Sequence, residues 1–182
     1  MVDYQALSIV FAGLSIAVSI VYYASVLRNQ NKVRQTQMFM QLHEAKYDRE
    51  GLDAFFKMQF REWKDFDDYM EKYGPRDHPE ESAMYESQIS YLEGLGILVQ
   101  EGMVDINIVN KIAGRRILQH WQKFEQVIKD LRMMAPLGPG HDYCESFEFL
   151  ANEILKIRKR EGLPLYEDRI HPTSQQYQKY NP

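Results

Sequence analysis

The chain has 182 residues and a formal net charge of −4, with 45% hydrophobic and 13% aromatic residues. Residues 1–43 hold one acid, Asp3, and three bases, so residues 44–182 carry −6, a balance poorly suited to a nucleic-acid backbone. The lone cysteine, Cys144, excludes a disulfide framework and suits a reducing compartment, and the length allows one anchored domain.

Ala6 to Leu27 is a run of 22 uncharged residues, ALSIVFAGLSIAVSIVYYASVL. As a helix it reaches roughly 33 Å, enough for a hydrocarbon core about 30 Å thick. Tyr22 and Tyr23 lie near one end, where interfacial aromatics belong. A cleaved signal peptide needs a basic start and a shorter apolar run, whereas this chain starts Met1-Val2-Asp3. A buried core helix of this length needs a larger protein around it, and an amphipathic surface helix needs a charged face. The run therefore predicts a transmembrane helix. Arg28, Lys32 and Arg34 follow it before any acid, which predicts an outward N-terminus and a cytoplasmic remainder. The same three cations are expected to rest against lipid headgroups at about 1 kcal/mol each. Within the span, Gly13 with Ala17 and Ser15 with Ser19 give one textured face suited to helix–helix contact.

Residues 28–50 predict a stalk that continues the span, with Val33, Met38, Phe39, Leu42 and Ala45 sparse among polar residues and a break at Gly51. A stalk of this kind needs cover from a neighbour or from a second chain. Residues 51–162 predict a helical bundle. Leu52, Phe55, Phe56, Phe60, Trp63, Phe66, Met70 and Tyr73 recur at helical spacing over 52–73, and Gly74-Pro75 stops the run. After His78-Pro79 a helix extends to Gln100, with Glu80 and Glu81 in its first turn and Gly102 past its end. Gly94 and Gly96 are expected to allow close packing. Asp105 is placed as an N-cap, with Val104 and Val109 as a hydrophobic staple. A short helix over 106–113 meets Gly114, and a longer one follows on Ile117, Trp121, Phe124, Ile128 and Leu131. The last helix covers 142–161 and ends in Lys156, Arg158, Lys159 and Arg160. Residues 163–182 read as an extended tail. The pattern is helical throughout, so the fold class is all-α: one N-terminal transmembrane helix (1–27), a stalk, a small cytoplasmic bundle and a tail.

The stretch Tyr91-Leu92-Glu93-Gly94-Leu95-Gly96-Ile97-Leu98-Val99-Gln100-Glu101-Gly102-Met103-Val104-Asp105 and the later Trp121-Gln122-Lys123-Phe124 follow an N-terminal span with a Tyr- and Arg/Asn/Gln-rich exit. Together they resemble a broad prokaryotic family of small membrane-anchored helical proteins known only as a domain of unknown function. The resemblance covers roughly residues 5–160. It implies a fold and a single-pass topology and transfers no activity.

Candidate chemistry is sparse. His43-Glu44 with Asp48 is not a zinc-type H-E-x-x-H, since position 47 is Tyr. Asp77-His78 and Glu80-Glu81 sit at a helix start, where acids serve the dipole. His141-Asp142-Tyr143-Cys144-Glu145 joins a metal-ligand type to a nucleophile type, but no second cysteine completes a site. Arg115-Arg116 after Gly114 is a weak anion-binding signal at a helix start. Glu93, in apolar surroundings, is expected to bond an arginine. The nine methionines fall at core spacing rather than in a metal-binding box. No catalytic residue, metal site or cofactor is expected. The leading expectation is a non-enzymatic, membrane-anchored module that binds a protein partner or a second copy. Its alternative is a tethered enzyme or small-ligand sensor.

Overall fold

The computed structural model describes residues 4–134 and 142–164. Over these residues the protein is all-α, with six helices: α1 (Tyr4–Lys46), α2 (Arg49–Gln59), α3 (Phe66–Tyr73), α4 (Pro79–Gln100), α5 (Ile106–Met133) and α6 (Glu145–Arg160). The expected tail, residues 163–182, lies outside the described residues apart from its first two positions.

The expected span and stalk form one helix. α1 runs 43 residues without a break, about 65 Å at 1.5 Å per residue. It is the one helix among the described residues long and apolar enough to cross a membrane. From Phe11 to Leu27 nearly every side chain is exposed, whereas Phe39 is fully buried against the bundle with Met40 beside it. Two long-range hydrogen bonds fix this joint. Gln35 Nε2 donates to the Gly102 carbonyl at 2.6 Å, and Lys46 Nζ donates to Ser87 Oγ at 2.7 Å. Their order along the chain shows that α4 runs antiparallel to α1. The chain's own bundle thus covers Phe39 of the stalk and part of Met40, while Met38, Leu42 and Ala45 stay exposed.

The break after α1 comes at Tyr47-Asp48 rather than at Gly51. Asp48 caps α2 by accepting from the Gly51 amide at 2.8 Å, which leaves Gly51 inside the first turn. The helix expected over 52–73 is two helices. Asp65, in extended backbone, accepts from the Asp68 amide at 2.9 Å and starts α3, while the Lys64 amide donates to Asp68 Oδ2. The apolar period survives the break, which is why it concealed it. Its phase does not survive: Phe55 is buried as the spacing predicts, but Phe56 and Phe60 are exposed, and Met58 and Tyr69 are buried in their place.

α4 ends as its sequence predicts. Gly102 at φ 67 lets the Met103 amide reach the Leu98 carbonyl at 2.9 Å. Asp105 then caps α5 on the Asn107 amide at 2.8 Å, with Val104 and Val109 both buried as the staple. The break expected at Gly114 does not exist. α5 passes through it because Gly114 faces α6, where a Cβ would meet Asn110 Oδ1 at 2.6 Å and Ile154 Cγ2 at 3.3 Å. α6 begins at Glu145, three residues later than expected. It lies antiparallel to α5, from Arg132 beside Glu148 to Asn110 beside Arg158. The core joins α4, α5 and α6 through Ile89, Leu92, Leu95, Ile117, Phe124, Phe147, Leu150 and Ile154.

Candidate functional site

α6 has no side-chain cap of its own. Cys144 precedes it in the left-handed region at φ 61, rare for a residue with a Cβ, and makes no capping bond. The first amides of α6 therefore need an acceptor from elsewhere. Glu93 of α4 supplies it, with Oε1 3.1 Å from the Ser146 amide and Oε2 2.7 Å from the Phe147 amide. Its charge also opposes the positive end of the helix dipole. Gly96, three residues on, makes the approach possible: a Cβ there would stand 2.1 Å from the Ser146 carbonyl oxygen. Gln100 Oε1 completes the socket by accepting from Ser146 Oγ at 2.9 Å. The arginine expected to pair with Glu93 is replaced by two backbone amides. Of the two glycines, only Gly96 permits a close approach, since nothing lies within 4 Å of a Cβ placed on Gly94.

A second cluster surrounds Arg61, whose side chain is buried. Its Nη2 donates to Glu81 Oε2 at 2.5 Å and to the Glu81 carbonyl at 2.9 Å. Its guanidinium lies 4.6 Å from the centre of the Tyr73 ring. Lys123 Nζ bonds the Arg61 carbonyl at 2.5 Å and stands 4.5 Å over Trp63, which stacks on Phe124. Burial draws the Lys123 ammonium below the usual lysine range. Beside this cluster, Tyr69, Tyr73, Tyr85, Met70, Leu131 and Glu86 contribute to a partly open cavity of about 260 Å³. Nearby, His120 is fully buried between Phe55 and Phe124, with Nδ1 3.4 Å from Gln59 Nε2. Burial pulls its pKa down to about 3, so the ring is neutral.

Residues 5–154 match the profile of a domain of unknown function, DUF4760. The chain belongs to the DUF4760 family. The match takes in α1 as well as the socket, so the long apolar helix is part of the family unit rather than an appendage to it. The curated proteins and the solved structures give no match.

The other residues singled out in the sequence of this DUF4760 chain are placed as follows. Ser15 Oγ donates to the Phe11 carbonyl at 2.8 Å and Ser19 Oγ to the Ser15 carbonyl at 2.7 Å, so both hydroxyls are used within α1. Gly13 is open, and Gly13/Ala17 lie about 200° around the helix from Ser15/Ser19, which makes two faces rather than one. Arg28, Lys32 and Arg34 are exposed. His43 packs between Phe39 and Tyr47, Asp48 caps α2 and Glu44 is exposed, so the three do not converge. Arg115-Arg116 lies in the middle of α5 rather than at a helix start, so no free amides adjoin it. Arg116 instead sits 4.9 Å over the Tyr47 ring.

Asp77, His78 and Glu80 are exposed at the start of α4, and Glu81 is claimed by Arg61. In the cluster at 141–145, His141 lies outside the described residues, Asp142 and Glu145 are exposed, and Tyr143 Oη stands 3.2 Å from Glu86. The Cys144 thiol is buried and pushed up to about 12, first by burial and then by Glu93, which keeps it protonated and a poor nucleophile. Among the described residues no three His, Cys, Asp or Glu side chains are placed to share a metal ion. Sequence reasoning missed Arg61, His120 and the cavity, because each depends on contacts between helices that no local spacing encodes.

Proposed function

We propose that the protein is a non-enzymatic, single-pass membrane module, N-terminus outside and bundle in the cytoplasm, that works by binding a second copy or a partner protein. The observation that carries this reading is the split character of α1. Its Phe11–Leu27 part is exposed along nearly its whole length, and its Phe39–Lys46 part is joined to the bundle. A helix of this composition needs a bilayer around its first part. Met38 and Leu42, about 40° apart around the same helix, each stay 37% exposed, an apolar edge available to a partner. The non-enzymatic part is supported by how the reactive side chains are used: Glu93 caps α6, Glu81 neutralises Arg61 and Cys144 is held protonated.

The test is topology and association together. Protease added outside intact cells is expected to clip an N-terminal tag and spare a C-terminal one. Cross-linking in native membranes is expected to give a species larger than the monomer. A protected N-terminus with an accessible C-terminus refutes the orientation, and a lone monomer in membranes and in mild detergent refutes the association. The cavity bounded by Tyr69, Tyr73 and Tyr85 favours a second reading, a small-ligand sensor. Native mass spectrometry of the purified chain tests it, by a bound small molecule that Tyr73→Ala releases.

A further inference from the structure

We propose that the α4–α5 end of the bundle docks on an anionic lipid surface, so that the domain lies against the membrane rather than standing clear of it. The inference rests on the membrane reading of α1 and goes beyond it, because it assigns a lipid-facing role to residues of the bundle itself.

The geometry comes from the joint. Gln35 is eight residues past Leu27, so it stands about 12 Å beyond the hydrocarbon edge. Its bond to the Gly102 carbonyl sets the α4–α5 turn at the same height. The headgroup layer adds roughly 5–8 Å beyond the hydrocarbon, which leaves the turn within a screening length, about 8 Å, of the lipid charges. Because α4 runs antiparallel to α1, its acidic N-terminus points away from that surface. The C-terminus of α6 points toward it, since Arg158 Nη1 reaches Asn110 Oδ1 in the second turn of α5 at 3.4 Å.

This end gathers exposed cations. Lys111 on α5 and Lys159 and Arg160 on α6 join Arg28, Lys32 and Arg34 of α1. Among the described residues the acids at this end are Glu101, Asp105 and Glu161; Asp105 is engaged in capping α5. Met103 projects from the turn itself, 50% exposed, and Ile112 next to Lys111 is 42% exposed. Apolar tips among cations are what an interfacial surface presents to headgroups. The opposite pole has the opposite charge: residues 44–86 carry thirteen acids against seven bases. A chain of net charge −4 has thus placed its positive charge on the side that its own helix turns toward the bilayer. The cations of α6 also complement that helix's dipole, but this requires nothing of Lys111 or of Met103.

Amine acetylation of the full chain in nanodiscs, read by mass spectrometry, tests the proposal. Discs of phosphatidylcholine alone are compared with discs containing phosphatidylglycerol. Each juxtamembrane cation is worth about a fivefold preference for an anionic surface. Acetylation of Lys32, Lys111 and Lys159 is therefore expected to slow at least about fivefold in the anionic discs, and high salt should restore it. Lys57 and Lys64, on α2 and the α2–α3 link, should react equally in both. Lys111→Gln with Arg160→Gln is expected to return Lys159 to its neutral-disc rate while leaving the melting temperature unchanged. If Lys32 is protected while Lys111 and Lys159 react equally in both discs, bundle docking is refuted and the membrane reading stands. If the chain washes out of bilayers at alkaline pH, the membrane reading itself has failed.

Discussion

Two glycines of α4, two residues apart, are expected to respond oppositely to the same methyl group. At Gly96 a Cβ would stand 2.1 Å from the Ser146 carbonyl oxygen and 2.5 Å from its carbonyl carbon. Both are backbone atoms, so no rotamer change can relieve the overlap, and α6 has to move. Overpacking of this kind costs about 1–3 kcal/mol. Moving α6 also stretches the Glu93 bonds to the Ser146 and Phe147 amides, now 3.1 and 2.7 Å, at about 1 kcal/mol or more each. The gain in helix propensity offsets at most about 1 kcal/mol. Gly96→Ala is thus expected to destabilise the fold by about 2–4 kcal/mol and lower the melting temperature by roughly 5–15 °C. At Gly94 a Cβ meets nothing within 4 Å, so the propensity gain stands alone and Gly94→Ala should stabilise by about 0.5–1 kcal/mol. Thermal and urea unfolding of the full chain in mild detergent, followed by near-UV circular dichroism, measures both. A Gly96→Ala protein that melts with the wild type, or a Gly94→Ala protein that loses as much as Gly96→Ala, refutes the socket.

Three further outcomes follow from the side chains. Glu93→Ala is expected to cost about 2–3 kcal/mol, because Cys144 gives α6 no replacement cap, and Glu93→Gln to cost less because it keeps an acceptor; equal losses from the two, by urea unfolding, would count against capping. For His120 the folded pKa, about 3, lies below the unfolded value, so the unfolded chain binds the extra proton between roughly pH 6.5 and 3. Stability is full above that window and falls by up to about 1.4 kcal/mol per pH unit within it; His120→Gln should flatten this slope between pH 6.5 and 5, and an unchanged slope refutes it. Glu81→Ala leaves the buried Arg61 guanidinium without its anion and is expected to cost about 2 kcal/mol, while Arg61→Met costs less, by chemical denaturation of each variant.

What the sequence made legible was local. The Pro79-Glu80-Glu81 start of α4, the Gly102 exit and the Asp105 cap with its Val104/Val109 staple are each settled within a turn of their own residues. The α2–α3 break was concealed because Trp63, Phe66 and Met70 keep the helical period across it. Only the cap chemistry of Asp65 betrayed it. Gly114 and Gly96 are the same residue in similar helical settings as Gly94. What separates them is the backbone or side chain of α6 that arrives from more than thirty residues away. Glu93 looked like half of an ion pair for the same reason: its partners are amides, and amides are invisible in a pattern of side chains. The socket thus explains the stretch that carries the family resemblance without assigning it a reaction.

The joint between α1 and the bundle gives the proposed membrane contact a direction. Gln35 and Lys46 are tethered eleven positions apart and Phe39 is buried between them, which turns one face of α1 toward the bundle. At about 100° per residue, Ala17 falls within roughly 40° of Gln35, Phe39 and Lys46 around the helix axis, and Gly13 lies close to the same side. The Gly13/Ala17 face therefore sits beneath the bundle, and the Ser15/Ser19 face points away from it. A two-fold dimer uses the same patch on both chains. If that patch is Gly13/Ala17, the two bundles are brought to the same side and must touch. If it is Ser15/Ser19, they are held apart on opposite sides of the helix pair. Cross-links between bundles are thus expected in the wild type and should be lost in Gly13→Leu with Ala17→Leu, while Ser15→Leu with Ser19→Leu keeps them. A wild-type dimer that cross-links within the span but not between bundles would place the contact on the serine face. Bundle cross-links that survive both pairs of substitutions would show that the span takes no part.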